Sequence, residues 1–151
     1  MNNQEVFINQ NRSAIAKLPL LAAIVALVGL ADSVYLTLKH FNAEPVPCSI
    51  IDGCEQVLTS SYAEMFGIPT AAFGIAAYLL AFLLAILTAF GKNQMWMPFG
   101  VLVSIMTIFT GWLIYLQANV IEAFCQFCLL SAATTFTLLI IFLISRFVRS
   151  K

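Results

Sequence analysis

The sequence predicts an all-α membrane protein: a bundle of four transmembrane helices with a short loop and helical segment outside the membrane between the first two. Of its 151 residues, 62% are hydrophobic and only 9% are charged, whereas soluble proteins carry roughly 25% charged residues. The apolar residues fall into four runs, each close to the ~20 residues that a spanning helix needs. Water-soluble globular proteins are therefore excluded, and no second domain is expected.

The four runs define the domain organisation. We predict a cytoplasmic tail over residues 1–17, a four-helix transmembrane domain over 18–144 and a basic cytoplasmic tail over 145–151. The predicted spans are residues 18–41, 67–90, 95–116 and 124–144. The first run exceeds the apolar part of a signal peptide, which is roughly 7 to 15 residues long. We therefore expect it to remain in the protein as helix one.

The connections between the helices follow from composition. Residues 42–66 contain two prolines, a glycine and several acidic residues, so the chain has left the hydrocarbon there. Within this loop, Ser61 and Glu64 have the spacing of a capping box, which predicts a short helix lying over the bundle. Helix two ends in the hydrophilic turn 91–94, and helix three ends in the short polar segment 117–123.

The basic residues indicate which side of the membrane holds the termini. Cytoplasmic segments carry an excess of Lys and Arg, and four spans place both termini on one side. On that side lie Arg12, Lys17, Lys92, Arg146, Arg149 and Lys151, against Lys39 alone on the other. We therefore predict a multi-pass protein of a bacterial-type cell membrane with cytoplasmic termini. Seven basic and seven acidic residues balance, so no basic field attracts nucleic acid, which is excluded as a partner.

The four cysteines carry most of the chemical information. Cys48 and Cys54 lie in the loop after helix one, and Cys125 and Cys128 lie at the start of helix four. Both pairs are predicted on the outer face, where an oxidising compartment lets disulfides form and persist. Free amide hydrogens and the dipole at a helix start stabilise a thiolate. Cys125 or Cys128 is therefore expected to be the more reactive thiol, whereas the exposed loop pair suits exchange with another protein.

Two other interpretations of the cysteines stay open. The four thiols could bind structural zinc, because a two-residue gap is a usual ligand spacing. They could also form two structural disulfides in a non-enzymatic membrane scaffold. The outer compartment and the lack of histidine partners argue against zinc, and a four-helix bundle has little need of such disulfides. We expect no metal site.

Redox-active pairs would need an electron acceptor within the membrane. The sequence contains no haem-attachment pattern and no nucleotide-binding glycine fingerprint. A lipid-soluble quinone takes two electrons and two protons, which matches the oxidation of one dithiol. By elimination, a quinone is the leading acceptor.

An ordered set of motifs extends along most of the chain. It comprises the loop cysteines, the stretch VLTSSY over 57–62, the turn FGIP over 66–69, Gly74, Tyr78 and the pair Cys125-Gln-Phe-Cys128. Through this set the chain resembles the vitamin K epoxide reductase family in its bacterial, stand-alone form. The stretch DSVYLTLKH over 32–40 is similar to the end of helix one in bacterial members. Another bacterial family of quinone-linked thiol oxidases carries its two-residue-gap pair in the first outer loop, whereas here that pair comes second.

The resemblance implies an electron relay that forms disulfide bonds. In the family, a thioredoxin-fold partner attacks the residue that corresponds to Cys48, and Cys54 passes the electrons to Cys125. The Cys125 and Cys128 pair then reduces a quinone, ubiquinone or menaquinone, with Cys128 nearest the ring. Many bacterial members carry a fused thioredoxin-like domain, but this sequence ends seven residues after Ile144. We therefore expect the partner to be a separate, extracytoplasmic thioredoxin-fold thiol oxidase.

The resemblance also implies which residues contact the quinone. Ser60 matches a family serine that donates a hydrogen bond to the quinone or the thiolate. Thr70 and Ala132 occupy the positions where animal members hold the vitamin K ring with an asparagine and a tyrosine. The polar contacts with the ring are therefore expected to differ from those of the animal enzymes.

Two ionisable residues of helix one remain. Asp32 lies well inside the span, where an ionisable group is costly and by default suggests function. It could give a proton route to the quinone, or it could be hydrogen-bonded and neutral. His40, at the outer end, could take the protons that thiol oxidation releases, or it could simply be solvated.

Overall fold

The structure is a computed structural model of the chain, and it describes residues 3–50 and 53–150. Its helices, in chain order, are α1 (Asn3–Phe41), the short α2 (Cys54–Leu58), α3 (Thr70–Ala89), α4 (Trp96–Leu116) and α5 (Gln126–Ser150). Four segments are long and apolar enough to cross a membrane, namely Lys17–Phe41, Thr70–Ala89, Asn93–Ile121 and Gln126–Val148. The predicted all-α, four-helix membrane fold is confirmed.

Several helix ends differ from the expected positions. α3 begins at Thr70 instead of residue 67, because Ile68–Pro69 form a strand, and α5 extends to Ser150, through most of the predicted tail 145–151. α1 begins at Asn3, so most of the predicted tail 1–17 is helical and continuous with the first span. The polar segment after α4 continues as a π-helix over Gln117–Ile121 and stops at Glu122, whose φ of 53° is left-handed. The third span is therefore longer than its apolar run. Met1, Asn2 and Lys151, which belong to the predicted tails, lie outside the described residues.

Small side chains let the helices approach closely. Ala22, Ala23 and Ala26 of α1 are buried in one core with Ala81 and Ala85 of α3. Lipid is as apolar as these side chains, so close packing rather than a hydrophobic driving force holds such helices together. Large apolar side chains are exposed along all four long helices, as expected for surfaces that face lipid.

The loop between α1 and α3 contains α2 and a small hairpin. Strand β1 (Glu64–Met65) pairs antiparallel with β2 (Ile68–Pro69). The two turn residues, Phe66 and Gly67, have φ of 56° and 76°, as a type I′ turn requires.

This hairpin replaces the helix that Ser61 and Glu64 predicted. The prediction is wrong because Glu64 pairs across the hairpin with Pro69. Its carboxylate also lies 3.0 Å from Nε2 of His40 instead of returning to the Ser61 backbone. The short helix of this loop lies earlier, at α2.

Candidate active site

The structure brings the two cysteine pairs together at one end of the bundle. Cys48 and Cys54 are joined by a disulfide, with their Cα atoms 6.2 Å apart, and Cys125 and Cys128 are free thiols. Cys54 and Cys125 are 1% and 0% exposed, and both belong to one buried cluster. Cys48 and Cys128 are partly buried at its edge. We call this group the cysteine cluster; it is completed by Val57, Leu58, Ile121, Ala123 and Phe127.

A glycine makes this approach possible. Gly53 precedes Cys54 and packs against the backbone of Phe124, the residue before Cys125. A Cβ added at Gly53 would lie 2.5 Å from the carbonyl oxygen of Phe124 and 2.8 Å from its nitrogen. The φ of Gly53 is −105°, which any residue can adopt. The close backbone contact, rather than backbone conformation, therefore requires glycine here.

A hydrogen bond also links the two cysteine-bearing segments. The backbone N–H of Ile50, between Cys48 and Cys54, donates to Oε1 of Gln126 at 3.2 Å. Gln126 follows Cys125 directly and begins α5. The loop is therefore attached to the segment that carries the second pair.

The π-helix Gln117–Ile121 also positions Cys125, through a hydrogen bond to its backbone. Gln117 is buried, and its Oε1 accepts the backbone N–H of Cys125 at 3.1 Å. The carbonyl of Gln117 also accepts the N–H of Ala123 at 3.1 Å. Single π turns within helices are frequent at functional sites. Here the turn directs the Gln117 side chain to the backbone N–H of Cys125.

Electrostatics favour the thiolate form of Cys125, which precedes the spanning segment of α5. A hydrogen bond from the Cys128 side chain lowers the pKa of Cys125 to about 7. Backbone N–H groups of Cys128 and Phe127 act in the same direction, whereas burial and the charge of Asp32 oppose it. Because the thiolate is the nucleophile in disulfide exchange, Cys125 can react near neutral pH.

A cavity of about 300 Å³ lies beside the cysteine cluster, between the four long helices and beneath the loop. The residues expected to contact a quinone, Ser60, Thr70, Cys128 and Ala132, all line it. Most of the remaining wall is apolar, and α4 contributes a long row of its side chains: Leu102, Ile105, Met106, Phe109, Leu113, Ile114 and Leu116. We call it the bundle cavity. It has the size and polarity of a site for a small apolar ring.

Hydroxyl groups of the cavity wall are already engaged within the chain. Ser60 donates from Oγ to the carbonyl of Val57 at 2.7 Å, and Thr70 donates from Oγ1 to the carbonyl of Tyr62 at 3.2 Å. The hydroxyl of Tyr78 contacts three hydroxyl groups of α5, those of Ser131, Thr134 and Thr135, at 2.8–2.9 Å. Ser60 therefore lines the cavity, but its hydroxyl hydrogen is donated to the carbonyl of Val57 and not into the cavity.

Three positioning residues were not found from the sequence. Gly53 resembles an ordinary loop glycine, and nothing in the sequence signals its contact with Phe124. Gln126 looks like a neutral spacer between two cysteines. Gln117 does carry a signal, because it is a polar residue directly after an apolar helical run. Among the side chains that the structure describes, those of residues 17–50, 53–148 and 150, no group of three or more His, Cys, Asp or Glu residues is arranged to bind a metal ion.

A membrane bundle that holds a disulfide against a pair of thiols has the construction of a thiol–disulfide oxidoreductase. The sequence model of the vitamin K epoxide reductase family matches residues 20–143, a range that includes all four cysteines. The chain belongs to the vitamin K epoxide reductase family. Members of this family are membrane oxidoreductases that use quinone-type substrates.

Proposed function

We propose that this protein forms disulfide bonds by passing electrons from a reduced thioredoxin-fold partner through its two cysteine pairs to a membrane quinone. The observation that carries the proposal is the shared burial of Cys54 and Cys125 in one cluster, next to a cavity that Cys128 lines. In the proposed pathway, the partly buried Cys48 would receive the electrons, Cys54 and Cys125 would relay them, and the cavity would hold the acceptor.

The accessibility of the two loop sulfurs supports entry at Cys48. Cys48 is partly buried, whereas Cys54 is almost fully buried. A partner thiolate would attack Cys48, and the electron pair of the broken disulfide would leave on Cys54. The second thiol of the partner then resolves the mixed disulfide, which leaves Cys48 and Cys54 reduced and the partner oxidised.

The Gly53 contact supports transfer between the pairs. The Cys54 thiolate would attack Cys125 in a disulfide of Cys125 with Cys128, and Cys128 would leave as the thiolate. Cys48 then closes the loop disulfide again and releases Cys125. Two electrons and two protons have moved to the second pair, and the loop can accept the next partner.

The bundle cavity supports reduction of a quinone by the second pair. Its volume is about 300 Å³, at the lower end of ligand pockets, which occupy about 300–1,000 Å³. The ring of ubiquinone or menaquinone would lie against Cys128, with Ser60, Thr70 and Ala132 in the wall. Oxidation of the dithiol gives two electrons and two protons, and these convert the quinone into the hydroquinone.

The basic residues support an outer location for the cysteines. Both cysteine pairs lie at the bundle end opposite Lys92, Arg146 and the start of the first span. Under the positive-inside rule, this end faces the extracytoplasmic space of a bacterial-type cell membrane. Disulfides persist there, and a separate thioredoxin-fold thiol oxidase can reach Cys48.

The test is quinone reduction by the purified full chain in detergent, with a small dithiol as donor and ubiquinone or menaquinone as acceptor. We expect the quinone's ultraviolet absorbance to fall with the parent and to stay constant with Cys128→Ala. Absence of turnover with both quinones, in folded protein, would refute the proposal. It would favour the scaffold with inert disulfides, which a thiol titration after mild reduction detects directly.

The order of the relay has its own test. Cys48→Ala should keep quinone reduction with the small dithiol, which can reach the partly buried Cys128. It should lose activity with a reduced thioredoxin-fold protein, which needs the accessible loop sulfur. Full activity of Cys48→Ala with the protein donor would contradict entry at Cys48.

A further inference from the structure

We propose that Asp32 is the residue that delivers a proton to the quinone bound in the bundle cavity, a role that rests on the quinone reduction proposed above. Asp32 belongs to α1, just past the midpoint of the first span Lys17–Phe41. The cysteines would carry the electrons, whereas Asp32 would carry a proton. Two observations support this role: Asp32 lines the cavity, and its carboxyl oxygens have no hydrogen-bond partner among the described side chains.

The carboxyl group of Asp32 is buried without a partner. The residue is 6% exposed, and neither carboxyl oxygen has a hydrogen-bond partner among the described side chains, those of residues 17–50, 53–148 and 150. Thr37, buried one turn later on the same helix, instead donates its hydroxyl to the carbonyl of Ser33 at 2.7 Å. Buried polar groups are normally hydrogen-bonded, so each exception calls for an explanation.

Asp32 faces the place where the chemistry would occur. It lines the bundle cavity together with Cys128 and with Ser131 and Ala132, one turn further along α5. A ring seated against the Cys128 sulfur would therefore occupy the same cavity as the carboxyl group. An ionisable residue inside a span is costly and commonly marks a proton relay.

The other ionisable groups of the cavity wall are less suited to this role. The described lining residues include no Lys or Arg, and α4 contributes no ionisable side chain. His40 is paired with Glu64 at 3.0 Å, and the Tyr78 hydroxyl is held by α5. Tyr62 belongs to the loop that covers the cavity. Asp32 is thus the carboxyl group of this wall, and its oxygens are free to receive and give a proton.

The step balances in electrons and protons. The Cys125 and Cys128 dithiol becomes a disulfide and gives up two electrons and two protons, while the quinone becomes the hydroquinone. Asp32 gives its carboxyl proton to one ring oxygen as the electrons arrive. The proton released by the Cys128 thiol restores the carboxyl group. The Cys125 proton leaves to water at the outer end, and the second ring oxygen takes a proton from water.

The experiment compares Asp32→Asn, which keeps size and polarity but holds no acidic proton, with Asp32→Glu and the matched control Thr37→Val. We measure kcat and KM for quinone with a small dithiol as donor, and we trap the redox state of Cys125 and Cys128 by alkylation during turnover. Positioned acids and bases contribute about 10²–10⁴-fold to rate. We expect Asp32→Asn to lose about 10²-fold or more in kcat at unchanged KM, with the pair accumulating as the dithiol.

Recovery in the conservative variant separates proton transfer from packing. Asp32→Glu should regain much of the lost kcat, and Thr37→Val should match the parent. Equal kcat in Asp32→Asn and Thr37→Val would overturn the proposal. Equal loss in the Asn and Glu variants together with a lowered Tm would also overturn it, because Asp32 would then be structural. Failure of the parent to reduce quinone would instead refute the underlying function, so the two failures are distinguishable.

Discussion

Replacing Gly53 by alanine tests whether the backbone contact with Phe124 sets the distance between the two cysteine pairs. The added Cβ would lie 2.5 Å from the Phe124 carbonyl oxygen, whereas ordinary contact begins at 3.4 Å, so the segments must separate by about 0.9 Å. The obstructing atoms are backbone, which cannot rotate away. Displacement of a reacting group by about 1 Å can cost about 10²-fold in rate.

The assay isolates the transfer between Cys54 and Cys125. In the double variant Cys48→Ser/Cys128→Ser, these two are the remaining cysteines of the sequence. A mild oxidant should join them, and protection from alkylation followed by mass spectrometry measures the rate. We expect Gly53→Ala in this background to slow bond formation by about 10²-fold, because the two sulfurs no longer meet in a reactive geometry.

A second glycine supplies the control. Gly111 of α4 has nothing within 4 Å of an added Cβ, and alanine in a helix is favoured over glycine by roughly 1 kcal/mol. Gly111→Ala should therefore form the Cys54 to Cys125 disulfide at the parental rate. If Gly53→Ala formed it just as fast, the reasoning from the Phe124 contact would be refuted.

Two further predictions concern the environment of Cys125. Gln117→Ala leaves the buried N–H of Cys125 without its acceptor, so the free energy of unfolding should fall by about 1–3 kcal/mol, and quinone reduction should slow. Denaturant titration of this variant measures the loss, and a value indistinguishable from Gly111→Ala would contradict the assigned contact. In the reduced Cys48→Ser/Cys54→Ser variant, ultraviolet thiolate absorbance should rise with pH through a midpoint of about 7, the pKa of Cys125. Adding Cys128→Ala removes the hydrogen bond that favours the thiolate, so the midpoint must shift upward; an unchanged or lower midpoint would show that Cys128 is not the cause.

The sequence predicts the helices of this protein well because each is a long apolar run, and length and hydropathy decide whether a segment spans a membrane. The loop was less predictable. The spacing of Ser61 and Glu64 is compatible with a helix, but the left-handed turn at Phe66 and Gly67 and the pairing of Glu64 with His40 favour a hairpin. Local capping signals are weak compared with such tertiary contacts.

The identities of the candidate site residues were easier to predict from the sequence than their contacts. The cysteine pairs are visible in the sequence itself, and Ser60, Thr70 and Ala132 were expected at the site from the family resemblance. The direction of the Ser60 hydroxyl does not, because it depends on the carbonyl of Val57 at the end of α2. The role of Gly53 depends on a residue 71 positions later in the chain. Contacts at such separation leave no local pattern from which they can be inferred.

The bond between Ile50 and Gln126 has a consequence for chain entropy. A disulfide restricts the conformations of the loop that it closes. In the proposed catalytic cycle, the disulfide between Cys48 and Cys54 would open once per turnover. The bond from Ile50 to Gln126 involves neither sulfur, so it can persist after the disulfide opens. Cys54 would then be connected to the start of α5 through the three residues that separate it from Ile50. A short connection gives a high effective concentration of one group near the other. In the proposed relay, the freed Cys54 would thus be held near Cys125, and the loop would not have to refold between turnovers.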